Sequence, residues 1–445
     1  MGRLNPPRLI LIGYLSLILF GTFLLLLPFS THTSINFVDA LFTATSAVCV
    51  TGLIVKNTGA DFTPFGKIVI LLLIQIGGLG YMTVASFLLI LARKRLSLAQ
   101  TAILREDLDY IGLNFRDFVL RVILFTFFFE IIGFALLSWR FRLAGYSLSR
   151  SLFYGLFHSV SAFCNAGFSF FPDSFQHFIK DNVMILTIAI LFIIGGLGFI
   201  VLHDIWSKLT KKKREFLLHS KFVFLLTLIL IVAGTLIILA SEWNNTLKDL
   251  PFSKKLLCSF FHAVTPRTAG FNVLPVGEFT HFTLLFTIML MFVGASPGGT
   301  GGGIKTTTFG ILLLEFWRYI KGGESFTIFK RRIRDADIQR AISIFFSSVI
   351  IIAIGTLFLT MFEKDVKFIR LMFEEFSAFG TVGLSTGSDL NPACSLAQQF
   401  STPSKIVIIM TMLIGRIGTL TFGSAFITRE IPKRIEYPEE EILTG

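Results

Sequence analysis

Charge is scarce in this chain. Asp, Glu, Lys and Arg make up 15% of its 445 residues, where a soluble globular protein carries about a quarter. Cysteine is scarcer still. Cys49, Cys164, Cys258 and Cys394 form no CxxC pair, which argues against a disulfide framework and against a zinc site. The chain has no convincing phosphate loop or dinucleotide fingerprint, so nucleotide control has to come from another chain. No nucleophile with a neighbouring base stands out, which argues against an enzyme.

Hydrophobic residues fill the space left by charge, at 53% of the chain. Several runs reach the 18 or so apolar residues that cross a bilayer. A β-barrel would show short alternating segments instead. The fold class read here is an all-α integral membrane protein. The first run, "RLILIGYLSLILFGTFLLLLPF", is too long for a signal-peptide core and no small-residue cleavage motif follows it, so it is read as the first membrane helix.

Eight spans are predicted, at about 9–28, 65–92, 118–139, 183–206, 220–240, 280–318, 341–362 and 404–427. Four shorter apolar segments, 38–52, 152–168, 254–271 and 369–384, fall between successive pairs. Each is too short to span and ends near a glycine, as a re-entrant half-helix and loop would. The net charge of +12 is read as loop charge rather than as a sign of nucleic acid. Basic clusters follow spans two (Arg93, Lys94, Arg95), four (Lys208, 211–214), six (Lys330, Arg331, Arg332, Arg334) and eight (Lys433, Arg434). The positive-inside rule then puts both termini in the cytoplasm and brings the re-entrant loops in from outside. The run "KKKR" at 211–214 is read as a topology signal or a contact for anionic lipid or a regulatory ring.

The short segments are copies of one another. Aligned on one glycine they read "FTATSAVCVTGL" (Gly52), "FHSVSAFCNAGF" (Gly167), "FFHAVTPRTAGF" (Gly270) and "FEEFSAFGTVGL" (Gly383). A phenylalanine stands ten residues before each glycine, at Phe42, Phe157, Phe260 and Phe373, and the glycines lie 103 to 115 residues apart. The helix that follows repeats too, as "IQIGGLGYM", "FIIGGLGFI" and "MLIGRIGTL". Gly77-Gly78 and Gly195-Gly196 there are read as close-packing positions. Four tandem repeats of helix, pore helix with loop, and helix are predicted, covering 1–95, 96–215, 216–335 and 336–445.

Four such loops around an axis can offer backbone carbonyls to a dehydrated monovalent cation. The candidate ion site is Val50, Thr51, Gly52; Asn165, Ala166, Gly167; Thr268, Ala269, Gly270; and Thr381, Val382, Gly383. None of the four triplets holds a carboxylate, which favours carbonyl ligation over a ring of acids. One glycine per repeat, rather than the two of a "TVGYG" loop, argues for a cation path more than for strict potassium selectivity.

In the third repeat the glycine-packed helix gives way to "FVGASPGGTGGGIKTTT". Gly294, Pro297, Gly298, Gly299, Gly301, Gly302 and Gly303 leave no intact helix there, since Gly and Pro cost about 1 and 3 kcal/mol each in a helix interior. The stretch 294–303 is read as a loop inside the membrane, the alternative being a structural kink. Two cations accompany it. Lys305 follows the loop, with snorkelling as its bland reading, and Arg416 replaces a repeat glycine inside the last span. Arg416 is expected to hold the loop shut. Arg267, inside the third loop, is expected to point away from the axis and brace the loop from behind. Its candidate partners are helix-end carbonyls or a carboxylate, with Glu374 and Glu375 named by repeat position. His158 and His262 precede two of the glycines but fall out of register, and are read as hydrogen-bonded pore-helix residues rather than metal ligands. Cys49 and Cys164 are read as small buried apolar residues.

The segments "VTGL", "NAGFS", "TPRTAGFN" and "GTVGLSTG", in order and with "GGxGGGIKTTT", resemble the potassium-transporter superfamily that includes the bacterial Trk and Ktr systems. The likeness covers almost the whole chain and is nearest to the ion-translocating membrane subunit of the Ktr type. It implies potassium as substrate, sodium as a candidate activator, and 294–303 as an intramembrane gate. It also implies a homodimer in the bacterial plasma membrane and a cytoplasmic ring of nucleotide-binding regulatory subunits. The rival reading is a secondary transporter of another cation or solute, where inverted repeats would be expected in place of these parallel ones.

Overall fold

The computed structural model describes residues 6–80, 83, 84, 86, 87, 115–210, 215–322, 327–329 and 331–426. The basic residues 93–95, 211–214, Lys330, Lys433 and Arg434 lie outside that set, as does most of the second predicted span beyond 80.

Helix, pore helix and helix recur four times. The first repeat holds α1 (Pro6–Leu26), α2 (Phe37–Val48) and α3 (Pro64–Leu79). The second holds α4 (Phe115–Leu143), α5 (Leu148–Phe163), α6 (Asn182–Leu197) and α7 (Phe199–Leu209). The third holds α8 (Leu218–Ser241), α9 (Phe252–Val264), α10 (His281–Phe292) and α11 (Thr306–Ile320). A small hairpin, β1 (Thr327–Ile328) with β2 (Arg331–Arg332), leads to the fourth: α12 (Asp335–Phe362), α13 (Phe368–Gly380), α14 (Thr402–Ile417) and α15 (Thr419–Phe426).

The first helix of each repeat is long and apolar enough to cross a membrane. At 1.5 Å per residue these helices reach about 30 to 45 Å. They bury only a third or so of their surface and turn Leu, Ile and Phe outward, as a helix facing lipid does. The pore helices α2, α5, α9 and α13 have 12 to 16 residues and are buried along most of their length. Their starts are fixed locally. Asn36 accepts from the Asp39 amide at 2.7 Å and Ser147 from Arg150 at 3.5 Å, while Pro251 pre-sets the entry to α9.

The second helices differ from the sequence reading. Spans four and eight, expected as single helices over 183–206 and 404–427, are broken. α6 and α7 meet at 97°, α14 and α15 at 100°. Each break is a glycine in positive-φ backbone: Gly198 at 95° and Gly418 at 92°. Gly80, at 78°, ends α3 in the same way. Such φ is open to glycine at little cost and cannot continue a right-handed helix. In the third repeat the break widens to the loop between α10 and α11, as the glycine content predicts.

The close-packing glycines do have a partner, and it is the pore helix. A Cβ on Gly77 would lie 2.0 Å from the Val48 carbonyl oxygen. On Gly195 it would lie 1.9 Å from that of Phe163, and on Gly415 1.9 Å from that of Phe379. In repeats one, two and four the second helix therefore touches the carboxyl end of its own pore helix, backbone against backbone.

Candidate functional site

The four loops that follow the pore helices close into a ring. A Cβ on Gly52 would fall 2.4 Å from the Ala166 carbonyl oxygen, and one on Gly167 3.0 Å from that of Ala269. One on Gly270 would fall 2.3 Å from that of Val382, and one on Gly383 2.1 Å from that of Thr51. The order runs through repeats one, two, three and four and returns to one. Each contact joins a glycine to the carbonyl just before the next repeat's glycine, so the axis is surrounded by backbone and has no room for a side chain at these four positions.

The local backbone explains why. Gly52, Gly167, Gly270 and Gly383 have φ of 92°, 69°, 77° and 91°. Two residues earlier, Val50, Asn165, Thr268 and Thr381 also lie at positive φ, between 49° and 76°. Asn tolerates that region, whereas β-branched Val and Thr do not. Strained backbone of this kind persists where its surroundings over-determine it, and it clusters at functional sites.

Hydroxyls on the pore helices supply part of that determination. Ser46 accepts from the Gly52 amide and Ser377 from the Gly383 amide, both at 3.1 Å. Ser161 donates to the Phe168 carbonyl at 2.8 Å and Thr265 to that of Phe271 at 2.6 Å. The sequence reading passed over these four residues. Their signal was visible as "SA" six residues before the glycine in repeats one, two and four, with Thr265 shifted by one in the third. The carboxyl ends of all four pore helices run into the ring, and their partial negative charge favours a cation.

On the far side of the glycines lies a cavity of about 100 Å³ that Gly52, Gly167, Gly270 and Gly383 all line. Eight residues, Asp173, Gln176 and Ser385 among them, also line a wider cavity of about 590 Å³ that carries Glu278 and Asp389 together with Lys367 and Arg370. On the near side lies the glycine-rich loop. Gly302 donates its amide to the Thr381 hydroxyl at 2.9 Å, and Gly301 sits so close to Thr268 that a Cβ would be 1.9 Å from its hydroxyl oxygen. The Thr300 and Ser296 amides donate to the Gly195 and Gly196 carbonyls at 3.2 and 3.0 Å. At the bend of the second repeat the Phe199 amide donates to Gly298 at 3.0 Å, and the Gly198 Cα faces the Pro297 carbonyl. Gly294 donates to Ile304 at 2.8 Å, which closes the neck of the loop.

Both nearby cations hold this loop. Arg416 donates one guanidinium nitrogen to the Thr300 carbonyl and another to the Gly77 carbonyl of the first repeat. Lys305 donates to Gly301 at 2.7 Å, so its ammonium is engaged by the loop rather than extended toward an interface.

Arg267 does point away from the axis, but not toward Glu374 or Glu375. It is 7% exposed, and its guanidinium donates to the Thr227 hydroxyl of α8 at 3.3 Å. Its Nε has no hydrogen-bond partner. Glu375 accepts instead from Thr411 at 2.8 Å, and Glu374 from Ser385 at 2.7 Å and the Ala397 amide at 3.0 Å. Repeat position placed these acids correctly on the pore helix but could not say which side they face. The histidines are hydrogen-bonded as expected: His158 with Tyr154 and Ser169, His262 with the Val273 and Leu274 amides. Among the described residues no group of His, Cys, Asp or Glu has the makings of a metal site. Cys49 and Cys164 are fully buried.

The TrkH family, described as cation transport protein, matches residues 13–433. The Ktr system potassium uptake protein B of Bacillus subtilis (strain 168) is 41% identical over 100% of this chain and 97% of its own length. Its namesake in Vibrio alginolyticus is 39% identical over 99% and 95%. The potassium/sodium uptake protein NtpJ of Enterococcus hirae is 38% identical over 100% and 98%. The crystal structure of the potassium transporter TrkH from Vibrio parahaemolyticus superposes with a TM-score of 0.70 at 18% identity, over 93% of this chain and 84% of that one, and shows the shared pore-loop fold. With the family profile spanning nearly the whole chain and Ktr-type relatives matching end to end, this protein belongs to the TrkH family of cation transport proteins and is a Ktr-type potassium transporter, not an enzyme.

Proposed function

We propose that this chain takes up potassium across the bacterial plasma membrane through the ring of Thr51, Ala166, Ala269 and Val382 carbonyls, and that 294–303 is its gate. The observation that carries this reading is the closed ring. Four repeated segments, each more than a hundred residues from the next, bring four carbonyls and four glycines to one axis, with no acidic side chain in any triplet. Carbonyl dipoles held at fixed spacing can replace part of a potassium ion's hydration shell.

The loop lies between the ring and the opposite side of the protein, touching Thr268, Thr381, Gly195 and Arg416. In that position it blocks passage, and its two cations repel a third. Opening requires the loop to give up the Thr381 and Arg416 contacts. The wide cavity with Asp173, Glu278 and Asp389 then faces outward, which agrees with basic residues such as Lys208, Arg331 and Arg332 lying on the cytoplasmic side with both termini. Relatives named as parts of Ktr systems support a partner, read here as a cytoplasmic nucleotide-binding ring; the homodimer is carried over from the family resemblance. Sodium is read here as an activator, and one relative is named for uptake of both potassium and sodium.

The test is uptake of radiolabelled rubidium into an uptake-deficient bacterium, with potassium and sodium as competitors, for wild type and Gly270→Ser. A side chain at Gly270 meets the Val382 carbonyl, so the variant should lose its preference for potassium over sodium. An unchanged preference at normal protein levels would remove the ring from the ion path.

A further inference from the structure

The limbs that rise from the ring toward the cavity are held by one pore-helix side chain in each of three repeats. In the second, His158 Nε2 accepts from the Phe170 amide at 3.3 Å and meets the Ser169 hydroxyl at 3.2 Å, while its Nδ1 contacts the Tyr154 carbonyl at 2.7 Å. In the third, His262 Nε2 accepts from the Val273 and Leu274 amides at 3.3 and 3.1 Å. In the fourth, Glu374 takes the position of His158, one residue after the repeat phenylalanine, and bonds Ser385, which like Ser169 lies two residues past its glycine. Two repeats therefore use an imidazole where the fourth uses a carboxylic side chain, fully buried.

The hydrogen-bond pattern suits an ionised form of that side chain. Glu374 Oε1 accepts from the Ala397 amide at 3.0 Å, and an amide only donates. Oε2 faces the Ser385 hydroxyl at 2.7 Å. The Ser385 oxygen already accepts from the Leu396 amide at 2.8 Å and the Gly387 amide at 3.2 Å, so its own proton goes to Glu374. Both carboxyl oxygens are acceptors and neither has an acceptor to donate to, which is the pattern of an ionised carboxylate. Arg370, one turn earlier on α13, spends its guanidinium on Asp389 at 2.9 Å, Thr386 at 3.1 Å and the Gly387 carbonyl at 2.7 Å.

The same carboxylate reaches a second repeat. Ser395 accepts from the Ile54 amide and donates its own amide to the Ile54 carbonyl, both at 2.9 Å, and Ile54 lies two residues past Gly52. The segment 395–397 is thus clamped to the first limb at one end and to Glu374 at the other.

We propose that Glu374 is the buried anion that sets cation affinity at the outer end of the ring. It positions the limbs of repeats four and one through Ser385 and 395–397, and adds a negative field beside the cavity that all four glycines line. In a low-dielectric setting such a charge acts on a cation far more strongly than a surface acid does. This role rests on the ring being the ion path.

The test is rubidium uptake by the full-length protein in liposomes, scored as half-saturating concentration and maximal rate separately, with sodium as competitor. Glu374→Gln keeps the shape and removes the charge. It is expected to raise the half-saturating concentration about tenfold, with maximal rate within about twofold and a weaker preference over sodium. Glu374→Asp retains the charge and should stay within about threefold of wild type. Wild-type half-saturation and preference in Glu374→Gln would overturn the proposal. So would an equal loss of maximal rate in both variants with half-saturation unchanged, the result of a purely structural role. If Glu374→Gln does not assemble, Ser385→Ala decides: it keeps the carboxylate but removes a donor from it, and unchanged half-saturation and preference would again overturn the proposal. Gly270→Ser, run in parallel, separates the two readings. A shift there without one in Glu374→Gln leaves the ring as ion path and removes only the role of Glu374.

Discussion

Arg416 and Thr300, 116 residues apart in the chain, are joined by a guanidinium-to-carbonyl hydrogen bond that ties the last transmembrane segment to the tip of the glycine-rich loop. The same guanidinium reaches Gly77 of the first repeat. A single side chain therefore fastens a segment of the third repeat to the first and fourth.

Removing that clasp should favour the open loop. A hydrogen bond to a charged group contributes about 1.5–3 kcal/mol, enough to change a closed-to-open ratio roughly tenfold or more. Arg416→Gln is expected to raise rubidium flux into liposomes in the absence of any regulatory subunit. Flux equal to wild type, with unchanged regulation when the partner is added, would mean that Arg416 does not hold the gate.

Substitution at Gly383 should be severe. Alanine there faces the Thr51 carbonyl at 2.1 Å and a φ of 91°. Left-handed backbone alone costs about 1–2 kcal/mol for a residue with a Cβ, and the contact adds to it. Uptake by Gly383→Ala should fall at least about tenfold. Gly423→Ala, where a Cβ meets nothing within 4 Å, should transport normally in the same assay.

Gly195 and Gly418 separate packing from backbone strain. A Cβ at Gly195 would press on the Phe163 carbonyl at 1.9 Å, whereas at Gly418 it meets nothing and only the φ of 92° opposes it. Gly195→Ala should be the more destabilising: overpacking costs about 1–3 kcal/mol, and here the neighbour is backbone that cannot rotate away. Thermal unfolding in detergent measures both. Equal midpoints for Gly195→Ala and wild type would contradict the close approach of α6 to α5.

The Arg267 guanidinium donates one hydrogen bond, to the Thr227 hydroxyl. If that bond braces the third loop, Arg267→Gln should reduce uptake and potassium preference, and Thr227→Val should reproduce part of the loss, a hydrogen bond from a charged group being worth about 1.5–3 kcal/mol. Full uptake and full preference in Arg267→Gln would end the bracing role.

Much of this molecule was legible in one dimension because its constraints are local. Segments of 12 to 16 apolar residues cannot span a membrane. Glycine marks where the backbone must turn to positive φ, and the four glycines kept step because each ends the same local turn. The loop at 294–303 was visible for the same reason, since its composition admits no helix. The breaks at Gly198 and Gly418 were missed because a single glycine in an apolar run fits either a close-packed helix or a bend. Only the neighbours decide, and at Gly198 the neighbour is the Pro297 carbonyl of another repeat.

The sequence by itself determined that the chain is a membrane protein of four parallel repeats, each turning on a glycine. Periodicity, length and backbone freedom are properties of neighbouring residues. Tertiary structure alone decided that the four turns meet, that Arg416 reaches both Thr300 and Gly77 of the first repeat, and that Glu374 faces the outer limbs rather than Arg267. Those outcomes depend on contacts between residues up to hundreds of positions apart, such as Gly383 with Thr51 and Glu374 with Ala397, and on which face of a buried helix each side chain occupies.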